Sequence, residues 1–325
     1  MNRTDLSILI VTYNSARLIG HLLEQLACEL QGLVAEVIVV DNASRDNTVN
    51  LVREQHPWVQ LIASPQNLGF AAGNNLAAEQ ASGRYLLLLN PDAIPAPGSL
   101  ARGIALMDQH PDAGLAGGEL RGVDGSRQPS ARMFPTLRDE LFTLSGLADR
   151  HQNSRLFARL DRRWADPEQA ALVDWIPGAF VFISTPLFVK LGGFDQRFFM
   201  YYEEVDLCRR IQQAGYGIHY WPELKAMHIG GESVKTVAKA RVSKSGSQLE
   251  SWRMRSGLLY YRKHHGASGA LGLHWIEWAW HKLRQLKAQL SGHADKAADF
   301  ATHCAQLNEA WHDTAAGSRS PARPW

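Results

Sequence analysis

Asp41, Asp92, Glu203, Glu204, Asp206 and His228 are the side chains of this 325-residue sequence whose types and surroundings could do chemistry. Asp92 closes the run Tyr-Leu-Leu-Leu-Leu-Asn-Pro-Asp at 85–92. The apolar part reads as a buried parallel strand, and Pro91 cannot continue the ladder, so the strand ends there and delivers Asp92 to its carboxyl edge. Ligands bind at that edge in open α/β sheets. A carboxylate there suits a hard divalent cation, which often accompanies a diphosphate; the plain alternative is an acid that caps the next segment. Glu203, Glu204 and Asp206 follow the aromatic run Phe198-Phe199-Met200-Tyr201-Tyr202. A helix starting near Glu203 would put Glu203 and Asp206 on one face and turn Glu204 elsewhere. Acids in a first turn also complement the helix dipole. Adjacent like charges in an aromatic setting, however, raise a carboxylate's pKa toward the range of a general base. His228 opens His-Ile-Gly-Gly-Glu-Ser, where the glycines at 230 and 231 permit close backbone approach to a ligand. A lone histidine is more often structural, so its reading as a ligand depends on Asp92.

Other polar groups fall at strand ends. Thr12-Tyr13-Asn14 and Asp41-Asn42 close the first two strands, where a nucleoside would lie across the sheet edge. Asp41 could accept from a base imide or ribose hydroxyls, or simply cap a turn. In Asn67-Leu68-Gly69-Phe70-Ala71-Ala72-Gly73-Asn74-Asn75, small residues let a helix approach closely and present its first amides to an anion. Tight packing through Gly and Ala explains the same stretch equally simply.

The elements that must position these groups alternate strand and helix. Leu6–Thr12, Val37–Val40, Val59–Ala63 and Tyr85–Leu89 read as apolar strands, with helices over Ser15–Glu29 and Ala71–Ala81 and another opened by the polar turn Asn42–Asn47. The pattern predicts an α/β fold with a mostly parallel sheet covered on both faces by helices. Residues 123–172 read as loops and short helices forming a mobile segment beside the site. Val173–Ser184 reads as a strand broken at Pro177-Gly178, Pro186–Leu191 as a short helix, and His219–Trp221 as a short strand followed by a Pro-Glu turn. Ser243–His265 and Gly269–Leu290 read as helices and Ser318–Trp325 as a disordered tail. Leu271, Trp275, Trp278, Ala279, Leu283, Leu286 and Leu290 recur at helical spacing among Lys282, Arg284 and Lys287. Such a basic, tryptophan-bearing helix fits a membrane interface; packing on the catalytic domain or on a second subunit fits it equally.

Composition sets the bounds. With 45% hydrophobic and 20% charged residues and a net charge of +2, the chain is a globular protein without the basic stripe of a nucleic-acid binder. Cys28, Cys208 and Cys304 are far apart and lack metal-ligand spacing, as in a reducing compartment. Met1–Asp5 leads straight into a strand, so no signal peptide is expected. No apolar stretch reaches the ~18–20 residues that span a bilayer.

Together these residues resemble the inverting glycosyltransferases of family 2, with the GT-A fold, over about Ser7 to Ser233. Thr12-Tyr13-Asn14 is similar to the opening nucleotide-binding turn. Val39–Asp46 is similar to the acidic nucleoside-binding segment, with Asn42 where a second Asp often stands. Asn67–Asn74 has the form of the rhamnosyltransferase-like branch, and Asn90-Pro91-Asp92 stands in place of an Asp-x-Asp metal motif, keeping its last acid. Gly178-Ala179 and Gly192-Gly193-Phe194-Asp195 resemble the acceptor-side segment, and Glu203-Glu204 occupies the Glu-Asp position whose second acid is the usual base. The resemblance implies a GT-A (Rossmann-like) catalytic domain over 1–235, with a nucleotide-binding half at 1–122 and an acceptor half at 173–235. An amphipathic helical extension over 236–317 and a tail at 318–325 complete the expected layout. It implies Glu204 as base with Glu203 orienting the acceptor, and Mg2+ or Mn2+ held by Asp92 and His228. The donor would lie against Thr12, Tyr13, Asn14, Asp41, Asn42, Asn67, Gly69, Asn74, Asn90 and Asp92, and the acceptor against Gly178, Ala179, Asp195 and Asp206. The implied donor is a dTDP- or UDP-sugar, dTDP-L-rhamnose first. The implied acceptor is a glycan or polyprenyl-diphosphate-linked glycan, handled in the cytoplasm at the inner face of the membrane, by a protein that could form oligomers and binds no nucleic acid. A nucleotidyltransferase would need a basic, Gly-rich loop after the first strand, which Tyr13-Asn14-Ser15 does not supply. A non-catalytic sugar-nucleotide scaffold would draw on the reduced Asn90-Pro91-Asp92 motif, but not on the acid cluster.

Overall fold

The computed structural model describes residues 4–229 and 242–322. The first half follows the expected alternation: β1 (Leu6–Thr12), α1 (Ile19–Glu29), β2 (Ala35–Asn42), α2 (Thr48–Gln55), β3 (Gln60–Ser64), α3 (Gly69–Ala78) and β4 (Tyr85–Leu89). Apolar residues at helical spacing make α1 amphipathic, and Ile19, Leu22, Leu23 and Leu26 are buried against the sheet. β5 (Ala93–Pro95), α4 (Ser99–Gln109), β6 (Ala113–Arg121) and β7 (Arg127–Gln128) come next. α5 (Leu137–Leu144) starts at a Thr136–Asp139 capping box. The chain then forms α6 (Leu147–Arg150), β8 (Ala171–Leu172), β9 (Phe180–Ser184), α7 (Thr185–Lys190), α8 (Glu203–Gln213) and β10 (Gly217–His228). Two helices close it: α9 (Val242–Leu290) and α10 (Ala294–Asp313).

The sheet runs β3-β2-β1-β4-β9-β6-β10-β5. β1 pairs in parallel with β2 and β4, and β2 with β3, as the uninterrupted apolar strands predict. Beyond β4 the sheet is mixed: β9 is antiparallel to both β4 and β6. A strand from the expected acceptor half thus sits between two strands of the nucleotide half, and both halves share one sheet. Successive side chains point to opposite faces, so Leu9 joins the core under α3 and α8, while Ile8 and Ile10 join the core under α1 and α4. Each fully buried Leu or Ile contributes roughly 1.5–3 kcal/mol relative to exposure.

Three expectations change. His219–Trp221 is not a short strand before a turn: β10 continues to His228, and its register against β6 shifts between Tyr220 and Lys225. Pro222, which has no N–H to give a ladder, lies within that irregularity. Residues 123–172 are tied down in part, since Arg132 N–H donates to the Trp175 carbonyl and Arg159 pairs with Asp139. Ser320 of the expected tail donates to the Arg197 carbonyl, and Pro321 is buried. Gly266, with φ 71° and ψ −170°, interrupts α9 between the two expected helices. The strand ends therefore meet the helical extension around one cleft, while residues 230–233 and the 235/236 boundary lie outside the described residues.

Candidate active site

A cavity of about 440 Å³ opens at the carboxyl ends of β1 and β4. Pairing of β5 with β10 sets Ala93 opposite His228, which places Asp92 beside the histidine. Pairing of β4 with β9 continues into a hydrogen bond from Asn90 N–H to the Ala179 carbonyl, which brings Gly178-Ala179 to the same edge. The turn before α3 is pinned across the cleft: Phe70 N–H donates to the Phe199 carbonyl. Gly69 has φ +79°, and a Cβ there would stand 2.3 Å from that carbonyl oxygen, so only glycine fits.

The far wall is the start of α8. Tyr201 and Tyr202 both adopt left-handed backbone (φ 70° and 67°), a conformation costing about 1–3 kcal/mol per non-glycine residue. The Ser256 hydroxyl of α9 holds the turn by donating to the Met200 carbonyl at 2.7 Å. Consequently Glu203 and Glu204 both line the cavity. The helical-face expectation fails here because the cleft lies at the helix end, where consecutive residues both reach it. Asp206, one turn on, faces away into α9.

Burial separates the acids. Among the described residues, Oε2 of Glu203 and Oε2 of Glu204 are buried without hydrogen-bond partners. Burial pushes Glu203 well above the usual carboxylate range, and the neighbouring charge of Glu204 pushes it further. Burial raises Glu204 as well, opposed by backbone N–H groups at the helix start and by the charge of Arg132. A Cβ on Gly178 would stand 3.1 Å from the Phe70 ring and 4.0 Å from Glu204 Cβ, so the small residue keeps the floor between ring and acid open.

On the opposite wall His228 Nε2 stands 3.4 Å from Asp92 Oδ1. Gln128 grips the histidine at two points: its amide donates to the His228 carbonyl at 2.8 Å, and its Oε1 lies 2.7 Å from Nδ1. The amide is thereby oriented so that Oε1 accepts from Nδ1–H, which leaves Nε2 turned toward an aspartate oxygen. The gap between them is close to the separation, about 3 Å, of adjacent ligands on a small octahedral cation. The donor set, one imidazole and one carboxylate, fits a divalent ion completed by ligands from elsewhere. Among the described residues no three His, Cys, Asp or Glu side chains form a complete metal site.

Thr12, Tyr13, Asn42, Asn67, Gly69, Asn90, Asp92, Gly178, Ala179, Glu203, Glu204 and His228 line the cavity as the sequence led us to expect. Other candidates do not. Asp41 is buried with its oxygens taken by Thr12 Oγ1 at 3.0 Å, Ser44 Oγ at 2.5 Å and Ser44 N–H at 2.9 Å, so it fixes the turn behind Thr12. Asn14 accepts from Arg45 N–H, and Asn74 donates to the Phe70 carbonyl inside its own helix. Asp195 binds Arg197 and Lys263, which hold it below the usual carboxylate range although burial opposes them. Asp206 is held low too: burial opposes, and His264, Arg210 and Lys263 prevail. Its role is to tie α8 to α9. Gln248, Leu249 and Trp252 of α9 complete the wall, with Trp252 packed on Phe199 at 4.5 Å. Gln128, Arg132 and these α9 residues carry no local sequence signal; only pairing across 100 or 50 residues of chain brings them here.

A mixed sheet ending in a cleft with a cation-type pair on one wall and proton-hungry carboxylates on the other is the architecture of a GT-A glycosyltransferase. A family model described as glycosyl transferase family 2 matches residues 7–163. Rhamnosyltransferase WbbL of Escherichia coli (strain K12) is 30% identical over 229 residues, 68% of this chain and 82% of that one. N-acetylglucosaminyl-diphospho-decaprenol L-rhamnosyltransferase of Mycobacterium tuberculosis (strain ATCC 25618 / H37Rv) is 29% identical over 235 residues, 69% of this chain and 75% of that one. The chain belongs to glycosyl transferase family 2, in its rhamnosyltransferase-like branch. In fold it is similar to mannosyltransferase PcManGT from Pyrobaculum calidifontis, solved in complex with GDP-Man and Mn2+, at TM-score 0.56 and 18% identity over 97% of this chain and 88% of that one.

Proposed function

We propose that this glycosyltransferase inverts the anomeric centre of a nucleotide-diphosphate sugar, dTDP-L-rhamnose before other dTDP- or UDP-sugars, and passes the sugar to a hydroxyl of a polyprenyl-diphosphate-linked glycan. The observation that carries this reading is the pair of unpartnered, buried carboxylate oxygens on Glu203 and Glu204, in one cavity with Asp92 and His228. The names of the two rhamnosyltransferases support the sugar, and the decaprenol-linked substrate named for the M. tuberculosis protein supports the acceptor class.

Asn42 is buried and holds the Leu68–Gly69 turn through its amide, so the donor side of the cleft is rigid before substrate enters. Asp92 and His228 would hold Mg2+ or Mn2+, which stabilises negative charge on a departing diphosphate. Glu204 Oε2 takes the proton of the acceptor hydroxyl as its oxygen bonds to the anomeric carbon and the bond to the diphosphate breaks. Attack on the face opposite the leaving group inverts the centre in one displacement. Glu203, favoured in its protonated form by burial and by the charge of Glu204, donates a hydrogen bond to the acceptor and orients it. Phe199, Met200, Tyr201 and Trp252 exclude water from that side. The work is placed at the inner face of the cytoplasmic membrane because a polyprenyl-linked acceptor resides there; among the described residues no helix is long and apolar enough to cross it.

A panel of nucleotide sugars incubated with the purified chain and a short-chain polyprenyl-diphosphate acceptor tests the reading. dTDP-L-rhamnose should give the fastest nucleotide release and a product of inverted configuration. Retention of configuration, or no release from any dTDP- or UDP-sugar, overturns it.

A further inference from the structure

α9 does two things along its length. Before Gly266 it contributes Gln248, Leu249 and Trp252 to the cavity; after Gly266 it packs on α10 through Leu273, Glu277, His281 and Ala288, all buried. The opposite face of that second segment is unpartnered among the described residues. Leu271, Trp275, Leu283, Leu286 and Leu290 are exposed, Leu283 to 64% and Leu290 to 81%. Spacings of three, four and eight residues set them in one stripe, which answers the alternatives left by the sequence: among the described residues this stripe does not pack on the catalytic domain.

Charge identifies its occupant. Between Gly266 and Ala294 the single acid is Glu277, which is buried, whereas Lys282 and Lys287 border the stripe and Arg284 lies over the Phe300 ring of α10. Lys282 lies over the Trp278 ring at 5.6 Å, and Trp275 packs edge-on to Trp278 at 5.3 Å. Leucines in one stripe, basic residues beside them and tryptophans near one end match the layered polarity of a bilayer interface carrying anionic headgroups.

We infer that the Leu271–Leu290 face of α9 docks on an anionic lipid surface, seating the helix whose other end walls the catalytic cavity against the membrane from which a lipid-linked acceptor enters. The inference rests on the acceptor class proposed above, and its test separates the two. The full chain is sedimented with vesicles of 30% phosphatidylglycerol in phosphatidylcholine and with vesicles of phosphatidylcholine alone. Binding to the anionic vesicles should be at least roughly tenfold tighter, with a blue shift of tryptophan emission, and should weaken as salt rises. The triple substitution Leu283→Glu, Leu286→Glu and Leu290→Glu, all at exposed positions, should reduce vesicle binding at least roughly tenfold. It should leave donor hydrolysis in solution unchanged. Variants that sediment like the parent, equal binding to neutral vesicles, or a dimer in light scattering that the same substitutions dissociate would each overturn the inference. Loss of donor hydrolysis in the unaltered chain, with vesicle binding intact, would instead sink the catalytic reading alone.

Discussion

Asp206 and Glu204 stand two residues apart in one helix, the first buried and the second half-buried with its Oε2 inside, and behave as opposites. Asp206 spends its oxygens on Arg210, Lys263 and His264, and stays charged. Glu204 keeps Oε2 unpaired in a cleft and resists charge. Asp41 repeats the first pattern on the donor side, fully engaged by Thr12 and Ser44. A buried carboxylate with every oxygen matched holds structure in place, because ionisation is compensated where it sits. One left unmatched stores a preference for the proton that an incoming hydroxyl can satisfy.

That contrast breaks most visibly at Glu204. Glu204→Gln should lower transfer about 10³-fold while nucleotide affinity, followed by titration calorimetry, stays within twofold; near-normal turnover would move the base to Glu203. Asp206→Ala should do the reverse. Leaving Arg210 and Lys263 without their buried partner should cost about 3 kcal/mol in denaturant unfolding, with the rate per folded molecule retained. A catalytic collapse without loss of stability would make Asp206 part of the chemistry. Asp92→Ala should weaken Mn2+ binding in the presence of nucleotide by about 10- to 100-fold, read by electron paramagnetic resonance. Gln128→Leu should weaken it less, through release of the His228 tautomer. Unchanged affinity in both would remove the cation assignment.

Glu140 sharpens the comparison with the smallest effect. Burial pushes its carboxyl up to about 7, and the charge of Glu277 adds to this, although Tyr261 donates to it. A folded-state value above the unfolded one means that the protonated group stabilises the fold at low pH. That contribution disappears as pH rises through about 7. Glu140→Gln should therefore raise stability by about 1–2 kcal/mol at pH 8 and change it little at pH 4. Equal effects at both pH values would show that Glu140 is wetted.

Much of this was legible before any coordinates. The run at 85–89 becomes β4 with the same bounds, and Asn90-Pro91-Asp92 stops it at the cleft because proline ends a ladder anywhere. The aromatic run followed by acids is also local, and its strained turn stays next to Glu203 in any fold that forms α8. Asp195 and Asp206 fall outside the cavity for a shared reason. Their types suit ligand binding, but whether a polar side chain meets a ligand or a neighbour depends on which helix covers it. Lys263 and His264, in α9, claim Asp195 and Asp206.

The amino-acid sequence determined the alternation of strands and helices, the strand ends that carry Thr12, Asn42 and Asp92, and the acids that open α8, since periodicity, proline and local turn chemistry act within a few residues. Tertiary structure alone decided which acids are matched and which are not. It also brought Gln128 to His228 across 100 positions and α9 to the mouth of the cavity. The reason is that hydrogen-bond satisfaction and desolvation are set by whatever packs around a group, and neighbours in space are not neighbours in the chain.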